Sequence, residues 1–183
     1  MSSPGSVEGD ARLRLFCALR LPEEILDRLV AWQAVHLSEG RAVPREHLHL
    51  TLAFLGSTPA AELPTVAAAL ESAAGTAGPI VFSEQRYRET RSVGMLVLED
   101  GTGEARRLAL RLFDELETLG VYTREKRSWL PHVTVLRFRT PPHLDPPLPE
   151  LGSFSPSDAA VYSSVLRPSG AQYETLETVA LGG

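Results

Sequence analysis

The sequence predicts two similar lobes of mixed strand and helix, facing each other across a cleft. Three observations carry this. Short alternating apolar runs read as strands. Apolar stripes at helical spacing lie between them. A weak internal repeat places strand, helix and a histidine-opened strand in that order twice. The first unit is a strand at 12–19, a helix, and a strand opening at His47 or His49. The second is a strand at 93–99, a helix, and a strand opening at His132. Lobes of this kind, facing each other, set the two histidine strands across a shared cleft.

Residues 1–10 are small, polar and aperiodic, which predicts a disordered tail. The 12–19 run (RLRLFCAL) places Leu13 and Leu15 on one face of a strand. Pro22 suits a helix first turn, and Ile25, Leu26, Leu29, Val30 and Gln33 follow at helical spacing, with only Gln33 polar. Ser38, Glu39 and Gly40 end that helix. The 47–55 run (HLHLTLAFL) alternates as a strand, closed by Gly56. An alanine-rich helix is expected over 59–74, with Leu63, Val66 and Leu70 inward and Gly75 and Gly78 as stops. Paired strands are expected at 80–88 and 93–99. The 103–119 segment is an amphipathic helix with a stripe of Leu108, Leu112, Phe113, Leu116 and Leu119, capped by Gly120. A strand at 132–138, a proline-rich loop at 141–149, and a hairpin of 160–166 and 173–181 around RPSG complete the chain.

Composition narrows the function classes. At 183 residues, 43% hydrophobic and 22% charged, the chain fits one globular unit that needs neither disulfide nor metal for a core. Cys17 is the only cysteine, so an intramolecular disulfide and any site needing two thiolates are excluded. That usage suits a reducing cytoplasm, where the protein is expected. No apolar stretch approaches a membrane span, and residues 1–10 lack the pattern of a secretory signal. A net charge of −5 argues against coating a nucleic-acid backbone and for gripping an end locally. The basic residues are uneven: Arg124, Lys126, Arg127, Arg137 and Arg139 fall close together. Such clusters are usually solvated faces, but this one surrounds a candidate motif and so reads as an anion-binding rim.

That motif occurs twice: His49-Leu50-Thr51-Leu52 and His132-Val133-Thr134-Val135. On a strand, residues two apart share a face, so each copy presents an imidazole beside a hydroxyl and anchors its apolar residues behind. About 0.06 copies are expected by chance in a chain of this composition. One copy alone reads as a structural pair; two copies in matching lobe positions read as a site. Histidine exchanges protons near neutral pH, and a positioned acid or base contributes about 10²–10⁴-fold. The hydroxyls of Thr51 and Thr134 can donate to phosphate oxygens.

With these motifs, and with RLFCALRLPEE, HLHLTLAFLG, SWLPHVTVLRF and VYSSVLRPSGAQYETL, the chain resembles the 2H phosphoesterase superfamily. Within it, the chain is similar to the RNA 2′,3′-cyclic phosphodiesterases, also called 2′-5′ RNA ligases. The resemblance covers nearly everything after residue 11. It implies an α+β fold, bilobal and pseudo-twofold symmetric, with two antiparallel sheets lining a central cleft and helices outside. It implies one domain over 11–183. It also implies metal-independent hydrolysis of RNA 2′,3′-cyclic phosphate termini to 2′-phosphomonoesters, without a cofactor. His49 matches the family's proton donor, His132 its acceptor, and Arg137 an arginine suited to a phosphate or ribose. The expected partner is RNA with a cyclic phosphate end or a related nucleotide, met by a monomer. Two positions depart from the family pattern: the 93–97 strand lacks a common tryptophan, and His47 stands where asparagine is frequent.

Other residues carry less. His47 is placed on the His49 face of the strand as a bordering residue, and His36 and His143 on the surface. Phe16 is assigned to core packing and Trp129 to either core or base stacking. Three other readings stay open: reversible 2′-5′ ligation at the same site, a small cyclic nucleotide or ADP-ribose cyclic phosphate as the substrate, and a binding module that holds an RNA end without turnover. Intact histidine motifs argue against the module, because binding alone needs no titratable pair.

Overall fold

The computed structural model describes residues 11–182. The tail expected at 1–10 lies outside the described residues. Eight strands and three helices follow as β1 (Arg12–Arg20), α1 (Glu23–His36), β2 (Arg41–Ala42), β3 (Leu50–Pro59), α2 (Leu63–Gly75), β4 (Phe82–Glu89), β5 (Val93–Asp100), α3 (Glu104–Thr118), β6 (His132–Arg137), β7 (Asp158–Arg167) and β8 (Gly170–Val179). They form two four-stranded antiparallel sheets, ordered β3-β1-β7-β8 and β2-β6-β5-β4.

The repeat is real in three dimensions. β1 pairs with β3 in one sheet, and β5 pairs with β6 in the other, each pair joined through a helix. One apolar core runs through both sheets and all three helices, with Leu15, Leu29, Leu70, Leu96, Leu112 and Leu136 fully buried. α3 buries the expected stripe, except that Leu119 falls beyond the helix and is 49% exposed. In α1 the polar Gln33 is buried, at 3%, along with Ile25, Leu29 and Trp32, while Val30 reaches solvent. Gln33 Nε2 donates to Val43 O at 3.0 Å and Val135 O at 2.7 Å. Its amide therefore joins α1 to the second sheet, adding a donor to Val43 O and a second donor to Val135 O, which also accepts from Val43 N–H at 3.0 Å.

Three expectations are corrected. His47 is not on a strand: 45–47 form a turn of 3-10 helix, and β3 begins at Leu50. Gly56 does not close β3; it takes φ +71, a left-handed value that glycine adopts without penalty, and the strand continues to Pro59. The alternation of β3 and β6 also breaks. Ala18 faces Thr51 and Cys17 faces Ala53, so Leu52 is an extra residue in the ladder. Met95 faces Thr134 and Gly94 faces Leu136, so Val135 is the extra residue of β6. Each bulge sits at the fourth residue of its histidine motif. A bulge shifts the side-chain phase by one, so Leu52 and Ala53 are both buried, as are Val135 and Leu136. The next residues, Phe54 and Arg137, turn out of the core.

Candidate active site

His49 immediately precedes β3, and His132 opens β6. Both rings are held in the same way. His49 Nδ1 lies 2.7 Å from His47 O, and His132 Nδ1 lies 2.8 Å from Leu130 O. A carbonyl only accepts, so each Nδ1 donates and each neutral ring keeps its lone pair on Nε2. The acceptor is in each case the carbonyl two residues upstream. The short HLH and LPH segments therefore orient the imidazoles before any partner is added.

His49 Nε2 is 3.0 Å from Thr51 Oγ1, which donates to it in this tautomer. Trp129 Nε1 donates to Thr51 O at 3.1 Å, tying the segment before β6 to the strand after His49. That bond crosses between the lobes and settles Trp129: its indole N–H is a strut, while its ring borders the cleft.

Two adjoining compartments meet at Thr51 and Phe54. One, about 570 Å³, is lined by His49, Thr51, Thr134 and Arg137. The other, about 600 Å³, is lined by His132 and Thr51. The expected site residues thus come together along one cleft, with the two histidines on successive parts of it. Arg137 is exposed there, with no ion pair among the described residues.

The basic rim is only partly as expected. Arg124 is committed to Glu117 and Asp114 on the α3 side, and Arg127 pairs with Glu125 at 2.6 Å while bordering the second compartment. Sequence reasoning missed Arg14 and Arg41 in the first compartment and Arg88 in the second. Their strands are short or irregular, and isolated arginines on a strand carry no motif signal.

His49 packs within an aromatic floor. Phe16 lies 4.9 Å from it and stacks on Tyr162 at 4.9 Å, while Tyr173 meets His49 edge-on at 5.6 Å. Phe16 is buried, as expected, but in a small cluster under the cleft rather than in the main core. His47, though off the strand, still borders the cleft and lies 4.4 Å from Tyr173. Phe54, turned outward by its bulge, is 46% exposed, with the Arg14 guanidinium 4.8 Å above its ring.

Burial in this setting lowers the His49 pKa from its usual value to about 4, with smaller contributions from the charges of His47, His132 and Arg137. The unliganded ring is therefore neutral at physiological pH. An anion in the cleft adds an opposite charge beside the ring, which moves the value upward. Cys17 is no competing nucleophile: it is buried in the core, and desolvation pushes its thiol up to about 12.

A family model described as the 2′-5′ RNA ligase superfamily matches residues 21–169. The chain is 29% identical over 171 residues to an RNA 2′,3′-cyclic phosphodiesterase of Escherichia coli strain K12, covering 92% of this chain and 96% of that one. It is 33% identical to a Thermus thermophilus protein of the same name, covering 93% and 91%. The crystal structure of E. coli LigT complexed with 3′-AMP superposes with a TM-score of 0.79 at 25% identity, over 94% of this chain and all of that one. The structure of TT0787 of T. thermophilus does so at 0.80 and 32%, over 93% and 99%.

Proposed function

The chain belongs to the 2′-5′ RNA ligase superfamily, and from that premise we propose that it is an RNA 2′,3′-cyclic phosphodiesterase that works without a metal through His49 and His132. The observation that carries this is the matched pair of imidazoles at the cleft, each with Nδ1 tied to a backbone carbonyl, His49 holding its Nε2 against the Thr51 hydroxyl. Opening a cyclic phosphate needs one proton removed from water and one delivered to the departing ribose oxygen. Two such rings supply both transfers.

His132 takes the proton from water through Nε2. His49, carrying a second proton on Nε2, passes it to the ribose O3′, leaving a 2′-phosphomonoester. This division follows the resemblance noted above. In the empty cleft His49 is neutral, so its acid role depends on the substrate's negative charge raising its pKa. When His49 Nε2 is protonated and aimed at O3′ it no longer accepts from the Thr51 hydroxyl, whose hydrogen is then free for a phosphate oxygen. Thr134 and the unpaired Arg137 face the same compartment and complete the anion's partners. A hydrogen bond involving a charged group contributes about 1.5–3 kcal/mol.

Hydrolysis of a nucleoside 2′,3′-cyclic phosphate should survive EDTA and fall by about 10²–10⁴-fold in His49→Ala and in His132→Ala. An aryl phosphodiester whose p-nitrophenolate leaves unprotonated separates the roles. His49→Ala should recover most activity on it, and His132→Ala should not. Full activity of either variant on the cyclic phosphate, or abolition by EDTA, would overturn the metal-free histidine pair.

A further inference from the structure

The first compartment is lined by three arginines, Arg14, Arg41 and Arg137, and by no acidic residue. The chain as a whole has the opposite balance, with 18 Lys and Arg against 23 Asp and Glu. None of the three arginines forms an ion pair among the described residues. On the reading above Arg137 meets the reacting phosphate, which leaves Arg41 without a role.

Arg41 is exposed on β2, directly opposite Arg137 on β6. Like charges at such a cross-strand position destabilise the pair. Nothing strong holds the guanidinium in place. Its Nη1 donates to Ser169 O, in the turn between β7 and β8, at 3.4 Å, beyond the roughly 2.7–3.2 Å of a good N–H···O bond. Gly170 in the same turn makes room for it: at φ +121, a Cβ there would stand 3.2 Å from Arg41 Nη1. Arg14 reaches the compartment from the other sheet, its guanidinium 4.8 Å over the Phe54 ring.

We propose that Arg41, with Arg14 on the opposite sheet, forms a second phosphate site, which takes a phosphate carried on O5′ of the cyclic nucleoside. In an RNA strand that group is the diester to the preceding nucleotide; a plain cyclic mononucleotide lacks it. An anion at Arg41 offsets the repulsion from Arg137 and can accept two parallel N–H bonds from the planar guanidinium. The space of about 570 Å³ is within the roughly 300–1,000 Å³ of small-molecule sites, so it has room for a nucleoside with a phosphate at each end. The site therefore favours strand ends over cyclic mononucleotides.

This inference rests on the hydrolytic reading, and a set of four substrates separates the two. They are a nucleoside 2′,3′-cyclic phosphate with a 5′-hydroxyl, the same nucleoside with a 5′-phosphate, a dinucleotide ending in the cyclic phosphate, and that dinucleotide with a neutral methylphosphonate link. Hydrolysis of each is measured at steady state. The KM of the charged dinucleotide should lie at least about tenfold below that of the neutral one, the effect of one charge-assisted contact. Their kcat values should agree, because this phosphate is unchanged in the reaction. Arg41→Gln should bring the two KM values together. A 5′-phosphate that lowers KM as far as the dinucleotide does identifies any O5′-phosphate as the ligand, and a gain confined to the dinucleotide identifies a strand. Absence of hydrolysis of all four by the parent protein overturns the underlying reading and the inference with it. Hydrolysis with equal KM values for the charged and neutral links, or a difference that persists in Arg41→Gln, overturns the second phosphate site alone.

Discussion

At the scale of residues, the His49 ring carries the clearest physical signature. Its folded pKa of about 4 lies below the ordinary value of the unfolded chain. Between those values the unfolded chain binds a proton that the native ring refuses, so stability rises with pH there. Its contribution is fully present above about pH 6.5 and is lost as pH falls toward 4. Denaturant titrations between pH 4 and pH 7 should show this slope, and His49→Asn should flatten it by as much as about 3 kcal/mol across the range, since one pKa unit is about 1.36 kcal/mol. An unchanged slope in that variant would mean that another group carries the pH dependence. Catalysis should respond differently, because it needs one ring neutral and the other protonated. A bell-shaped rate profile is expected, and a rate that stays flat through high pH would remove the acid from the mechanism.

At the scale of elements, one bulge in each motif and one buried amide place the two histidine strands. Leu52 is an extra residue of β3, which has a second at Leu55, and Val135 is the extra residue of β6; the phase shift at Leu52 and Val135 faces Phe54 and Arg137 outward. Gly40 is part of the same arrangement: at φ +98, a Cβ there would stand 2.7 Å from Arg137 O. Behind the strand, Gln33 bonds the carbonyls of Val43 and Val135, one of them on the bulged residue itself. Val135 O also accepts from Val43 N–H at 3.0 Å, so Gln33→Ala takes one of its two donors and removes the side-chain donor to Val43 O, at about 1–3 kcal/mol in all. Thermal unfolding should register a loss of that order, and kcat should fall with it because the anchor of the β6 bulge is gone. A stable variant with full activity would show that the Gln33 amide is not what holds the β6 bulge.

At the scale of the molecule, the two lobes share one core. β1, β3 and β7 contribute to it from one sheet, β4, β5 and β6 from the other, and all three helices close it. Lobes joined this way should unfold together. Far-ultraviolet circular dichroism and tryptophan fluorescence should give coincident denaturant transitions, since Trp32 packs in that core and Trp129 bridges the lobes. Two separated transitions would show that each lobe folds alone. The net charge of −5 and the few arginines along the cleft suit a grip on an end rather than on a long backbone.

Much of this was written in local pattern. The repeated histidine-apolar-threonine-apolar run, the alternating strands and the stripe of α3 depend on residues within a few positions of one another, so periodicity exposed them and pointed to two lobes with a histidine strand in each. Tertiary pairing decided the rest. Strict alternation assigns Phe54 to the buried face with Leu50 and Leu52, and Arg137 to the face of Val133 and Val135. Only the ladder with β1 and β5 shows the extra residue that reverses them. Arg14, Arg41, Arg88 and Tyr173 stand far from the motifs in sequence and border the cleft because sheet order brings their strands there. A bulge and a sheet neighbour are properties of pairing between strands, and a pattern read along one strand contains neither.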